Sequence, residues 1–256
     1  MLSDLQVLSG EDIHIVSIED GFNIKIKHPK LIDIKEVKEE NYGTFIETFC
    51  SKPFDLLANL HKVNIDYETI GEYELFNMIF PSNYYSEDDS FRQVFDMFFE
   101  LEGDLLIPST DKDEITEYID ILEDGSSKII MNKESFSSIQ QAIKMLTGFT
   151  NKKPEKFANA KTKEAYIEDV LESLEIAETE RSSNSMITMA DLIGAVILDT
   201  SYTYENVWDM YIYQFHSCTR MILKREDYNN TMTGIYTGNL DPKKVNLDKL
   251  YWLNKN

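Results

Sequence analysis

The sequence predicts an α+β protein, predominantly helical, with two β-hairpins in the N-terminal part and a helical C-terminal part. Two stretches of alternating apolar residues are each split by Asp-Gly, at Asp20-Gly21 and Asp124-Gly125. A type I′ turn needs positive φ at both central residues, and this dipeptide adopts it readily. Between and beyond these stretches apolar residues recur at i, i+3, i+4 and i+7, the period of a half-buried helix.

The first hairpin is "DIHIVSIEDGFNIKIKH". A two-residue turn at Asp20-Gly21 sets Ile13 opposite His28, Ile15 opposite Ile26 and Ser17 opposite Ile24. One face then carries Ile13, Ile15, Phe22, Ile24 and Ile26 and is the buried one, while His14, Asn23, Lys25 and Lys27 mix with Val16 and Ile18 on the other. A second stretch, "EYIDILEDGSSKIIMNKESFSSI", repeats the order strand, Asp-Gly turn, strand, helix. Asn132 is its helix N-cap, Phe136, Ile139, Ile143 and Leu146 form the apolar side, and Gly148 is the stop.

Between the hairpins the pattern is helical. "TFIETFC" is followed by "PFDLLANLHKV", with Pro53 near a helix start, and by "YETIGEYELFNMIF", a helix ending at Pro81. The polar loop "PSNYYSEDDS" leads into "SFRQVFDMFFELEG", whose apolar side is Phe91, Val94, Phe95, Phe98 and Leu101. Residues 149–162, "FTNKKPEKFANAKT", are basic, contain Pro154 and lack periodicity, which marks a linker. The chain therefore divides at 1–150 and 151–256, either as two domains or as parts of one. Past the linker, "TKEAYIEDVLESLEIAETE" spaces Ile167, Val170, Leu171, Leu174 and Ala177 helically. "SMITMADLIGAVIL" is nearly all apolar and is expected to be buried, and a short helix begins near Leu247.

"YENVWDMYIYQFHSCTR", residues 204–220, concentrates chemistry-bearing residues. His216 and Cys218 lie about 200° apart on a helix, so they do not form a nucleophile–base dyad. Trp208, Tyr211, Ile212, Phe215, Cys218, Thr219 and Ile222 instead make one stripe, as in a core helix. His14 and His28 fall on opposite faces of the first hairpin. "DKDEIT" from Asp111 begins like a calcium loop, but Thr116 stands where the loop needs glycine and Leu122 where it needs glutamate. No zinc spacing, phosphate loop or GxSxG elbow occurs. The expectation is no enzyme, no metal and no cofactor.

The net charge is −21. Residues 1–150 hold 30 acidic and 12 basic side chains, and residues 151–256 hold 16 and 13. Within 66–124 there are 18 acidic groups against Arg92 and Lys112 alone. Such a field repels phosphate backbones and anionic lipids, so direct nucleic-acid and membrane binding are not expected. No apolar run approaches the ~20 residues that cross a bilayer. The start lacks a basic n-region and an apolar h-region, and two cysteines, Cys50 and Cys218, suit a reducing compartment. "EDDSFRQVFDMFFELEGD" sets aromatics beside carboxylates. Glu87, Asp88, Asp89, Phe95, Phe98, Phe99, Glu100 and Glu102 are the candidate partner surface, an acidic groove with aromatic anchors for a helix. The alternative for Phe95 and Phe98 is burial in the protein's own core.

"IKIKHPKLIDI", "VNIDYETIGEYELFNMIF", "YENVWDMYIYQFHSCTR" and "GIYTGNLDPKKVNLDKLYWL" resemble segments of tail-gene proteins from bacteriophages of Gram-positive hosts, from about residue 20 to the end. The resemblance implies a non-enzymatic tail assembly chaperone or a tail or baseplate component, with the tape-measure protein or baseplate subunits as partners. It implies a location in the cytoplasm of the infected bacterium or in the virion tail. The matching positions are aromatic packing residues, so the resemblance assigns no site residue, and it is weakest over 84–131. The second function class is an acidic decoy that mimics DNA and blocks a host enzyme. It needs carboxylates spaced like phosphates, and the mild charge of 151–256 opposes a whole-protein mimic.

Overall fold

A computed structural model describes residues 4–17, 22–103, 105–112, 114–181 and 187–251. The chain opens with α1 (Asp4–Leu8), β1 (Ile13–Ser17) and β2 (Phe22–Ile26). Five helices follow: α2 (Leu31–Val37), α3 (Glu39–Cys50), α4 (Leu57–Lys62), α5 (Glu72–Tyr84) and α6 (Ser90–Phe98). Then come β3 (Leu106–Asp111), β4 (Glu114–Ile121), β5 (Ser127–Asn132) and α7 (Lys133–Thr147). The C-terminal part is α8 (Ala160–Arg181), α9 (Met189–Asp199), α10 (Ile212–Tyr236) and α11 (Leu247–Leu250). The class is α+β, as the sequence predicts.

The first hairpin has a different register from the expected one. Ile13 pairs with Ile26, Ile15 with Ile24 and Ser17 with Phe22, a shift of two residues. The expected turn residues, Asp20 and Gly21, lie outside the described residues. A shift of two leaves every side chain on its original face. Ile13, Phe22, Ile24 and Ile26 are accordingly buried, whereas His14 and Val16 are exposed.

The second hairpin joins β4 and β5 through a turn with Gly125 at positive φ, and Asp124 Oδ1 accepts from Ser126 N at 2.9 Å. Its sheet has a third strand that the sequence reading left unassigned, in the order β3-β4-β5. The calcium-like stretch is the tight connection between β3 and β4, with Lys112 at positive φ. Asn132 Oδ1 accepts from Ser135 N at 2.8 Å, and the left-handed Gly148 ends α7, as the sequence predicts.

Pro81 does not end α5, which continues to Tyr84. Tyr73, Phe76, Phe80 and Tyr84 form one buried stripe across it, and this packing outweighs the missing proline N–H. Tyr84, assigned above to a polar loop, is thus a core residue. The phenylalanines of α3, α5 and α6 make the centre of the molecule. Phe45 stacks on Phe98 at 4.8 Å and Phe76 on Phe80 at 4.7 Å between ring centroids.

The same buried cluster includes Ile193, Val196, Val207, Met210, Ile212 and Phe215 from the C-terminal part. Backbone hydrogen bonds seal the junction: Leu31 N donates to Met210 O and Ile212 N to Pro29 O, both at 3.0 Å. α10 starts at Ile212, so Trp208 belongs to a short 3₁₀ turn and not to the helix stripe. Its ring packs beneath Lys35 Nζ, 5.0 Å from the centroid. Residues 149–159 carry no regular structure, in line with the linker composition. They are tied down by Asn151 Nδ2, which donates to Cys50 O at 2.8 Å, and by Lys152 N, which donates to Asp55 Oδ1 at 2.7 Å.

Candidate protein-interaction surfaces

The acidic segment predicted as a partner surface separates into two sets of residues. Glu87, Asp88, Asp89, Glu100 and Glu102 are exposed. Phe95, Phe98 and Phe99 are not: they are fully buried, with Phe95 stacked on Phe99 at 4.3 Å and 12°. They are core side chains and offer no anchor to a partner. The reason is the helical period: Phe91, Val94, Phe95 and Phe98 share one side of α6, and α3 covers it.

Most of the carboxylates are already engaged. Asp88 Oδ1 accepts from Ser90 N at 3.0 Å and from its hydroxyl at 2.5 Å, which lowers the carboxyl pKa. Asp89 pairs with Arg92. Glu100 meets Lys25 at 3.1 Å, and Lys25 also reaches Asp12 at 3.3 Å. The hydrogen bond from Lys25 lowers the Glu100 pKa, and those to Glu100 and Asp12 raise that of Lys25. Glu102 lies 3.4 Å from Lys128. Glu100 and Glu102 thus rim a cleft of about 430 Å³ between the first hairpin and β5, with its charges compensated. Beneath it the buried Asp120 accepts from Glu102 N at 2.7 Å and from Gly103 N at 2.9 Å.

A different surface has the open apolar character that the acidic segment lacks. α5 carries two stripes: Tyr73, Phe76, Phe80 and Tyr84 face the core, whereas Leu75, Met78 and Ile79 face α4 across a groove of about 340 Å³. Leu56, Leu60 and Val63 line the other wall, and Thr44, Glu47 and Thr48 of α3 the floor. Val63 is 59% and Met78 47% exposed, so the groove opens to solvent. α3 and α5 together carry Glu39, Glu40, Glu47, Glu72 and Glu74 and no lysine or arginine. The second stripe, Leu75-Met78-Ile79, is a sequence signal that the single-stripe reading passed over.

The C-terminal part presents a second set of exposed apolar residues. The expectation that α9 is wholly buried fails: Ile193 and Val196 are covered, but Leu198 is 89% exposed. Leu174, in the expected stripe of α8, is also exposed. Beyond Thr219 no described residue is buried. This stretch includes Leu223, 57% exposed, and Tyr236, 81% exposed. After α10 the chain folds back as a hook. Leu250 N and Tyr251 N close α11, Tyr228 and Tyr251 meet edge to face at 5.8 Å, and Leu240 packs against Gly234.

Burial disfavours the charged forms of two histidines and a thiol inside the molecule. Burial lowers His28 to about 4 and His216 to about 4, and raises the Cys50 thiol to about 12. Among the described residues no group of three or more histidine, cysteine, aspartate and glutamate side chains is placed to hold a metal ion. None of their helices is long and apolar enough to cross a membrane.

No curated protein and no solved structure matches the chain. Residues 178–256 match the model of a family described as the YomV second domain. The match takes in the end of α8, the junction at 207–212, the whole of α10 and the hook, and so covers the exposed apolar residues just described on α9 and α10 but not Leu174. This C-terminal region is similar to a phage-associated domain family, which points to a phage protein.

Proposed function

We propose that the chain is a non-enzymatic phage tail morphogenesis protein that works by protein–protein contact. It serves either as an assembly chaperone for the tape-measure protein or as a built-in tail or baseplate component. One observation carries this reading: from Arg220 to Tyr251 no described side chain is buried, although Leu223, Tyr236 and Leu240 are exposed. Water-exposed apolar area is unfavourable by about 25 cal/mol per Å², so a long helical arm of this kind gains stability when a partner covers it. The match of this region to a phage-associated family supports the same direction. The decoy alternative is less well supported, because Asp89, Glu100 and Glu102 each sit beside a cation instead of forming an open row of charge.

Mass spectrometry of purified particles, with the lysate as control, tests the reading. Stoichiometric presence in the particle makes the protein a tail or baseplate component. Presence in the lysate alone, together with the tape-measure protein, makes it a chaperone. Absence from particles and from every complex of tail proteins overturns the proposal.

A further inference from the structure

Two imidazoles sit in the seam that joins the start of α10 to residues 1–150. His28 directly precedes Pro29, whose carbonyl accepts from Ile212 N at 3.0 Å. Its ring meets Tyr211 edge to face at 4.6 Å and Tyr213 at 6.5 Å. The N-terminal segment closes over the same place. Val7 is fully buried, and Gln214 Nε2 donates to Leu8 O at 2.8 Å. Gly10, at positive φ, lies so close to Tyr211 that a Cβ there would come 2.1 Å from the ring. Among the described residues nothing bonds to Nδ1 or Nε2 of His28. His216, one turn beyond Ile212, rests against Gly148 at the end of α7, where an added Cβ would stand 3.6 Å from its own. Its Nε2 is likewise buried without a partner. A buried polar group left unpaired costs free energy that hydration returns, and a protonated imidazole, with a charge as well, costs more.

The groups that face the two rings do little to offset this. Asp12 is the carboxylate beside His28, but its Oδ1 accepts from His28 N at 3.0 Å and its Oδ2 lies 3.3 Å from Lys25 Nζ. Tyr211 and Tyr213 face the ring from α10, and Lys30 Nζ adds positive charge 5.7 Å from the Tyr211 ring centre. Arg220 disfavours a proton on His216, and Gly148 brings no charge from α7. Burial therefore prevails at both rings and lowers them to about 4.

We propose that this seam is a hinge that opens in acid: the start of α10 and the turn before it come away from β2, the N-terminal segment and α7, while the aromatic core of α3, α5 and α6 stays folded. Opening uncovers Val207, Met210, Ile212 and Phe215, an apolar face that the closed molecule keeps buried. It also returns both imidazoles to water and to their ordinary proton affinity, near 6.5. The open form then binds protons that the closed form does not, so the closed seam is fully stable above about pH 6.5 and weakens as pH falls toward about 4. At pH 5 each histidine favours the open form about twentyfold more than at pH 7.

The test is amide hydrogen exchange of the full-length chain, read by peptide mass spectrometry at about pH 7, 6 and 5 and divided by the intrinsic exchange rate at each pH. Peptides covering 207–219 are expected to lose about tenfold or more of their protection between pH 7 and pH 5, and those of α3 and α6 to keep theirs within about twofold. A chain carrying H28L and H216L has neither titration and is expected to show a flat profile in 207–219, whatever its overall protection. H216L alone, which leaves His28 in place, is expected to keep about half of the effect on a logarithmic scale. Equal losses in 207–219, α3 and α6 mean that the whole molecule unfolds together and overturn the proposal. So does a wild-type profile that does not change with pH, and so does a pH dependence of 207–219 that survives undiminished in H216L or in the double variant.

Discussion

At the scale of single residues, the loop beneath the charged cleft depends on two positions. A Cβ on Gly103 would lie 2.3 Å from Ile121 O and 2.6 Å from Asp120 Oδ1, so Gly103→Ala is expected to destabilise the fold by about 2 kcal/mol or more in urea denaturation. Asp120→Ala leaves two backbone N–H groups without their carboxylate and is expected to cost about 2–3 kcal/mol by the same measurement. His28 and His216 set a pH dependence. Their folded pKa values lie near 4, below the ordinary value near 6.5, so the unfolded chain binds protons that the folded chain does not. Stability is fully kept above about 6.5 and declines as pH falls toward about 4. Urea midpoints between about pH 6.5 and pH 5, above most carboxylate titration, are expected to fall with acid and to fall less in His216→Leu.

At the scale of elements, α6 shows which features of the fold were legible. The apolar side Phe91, Val94, Phe95 and Phe98 can be read from spacing, and so can the caps Asn132 and Gly148, because capping and periodicity are local. Whether that side meets its own core or a partner is not a local property. It is decided by α3 and α5, which bring Phe45, Phe49 and Phe80 to the same place. Phe95→Ala is therefore expected to lower stability by about 3–5 kcal/mol, read in thermal denaturation, and not to leave a folded protein that merely binds a partner less well. The strand β3 escaped notice because Pro108 and the polar Ser109, Thr110 and Asp111 break the alternation. α5 ran past Pro81 because ring packing at Phe80 and Tyr84, invisible to a local rule, holds its last turn. The groove was missed for a related reason: its walls come from α3, α4 and α5, and only one of its signals, the second stripe of α5, lies within a single element.

At the scale of the whole molecule, residues 1–150 bury part of their core against Ile193, Val196, Val207, Met210, Ile212 and Phe215. A fragment ending at residue 150 is expected to bind hydrophobic dyes and to melt without a sharp transition, which calorimetry checks against the full chain. The two thiols of the chain sit at different depths in this arrangement. Cys50 is fully buried at the end of α3, whereas Cys218 lies half-buried on α10. An alkylating reagent reaches Cys50 only when its surroundings open, whereas Cys218 is partly accessible in the folded chain and becomes fully so once α10 is released. The native chain thus carries two clocks: accelerated modification of Cys218 marks the release of α10, and modification of Cys50 times the opening of the body. Their separation in time measures how far the arm's helix comes away before the rest of the molecule follows.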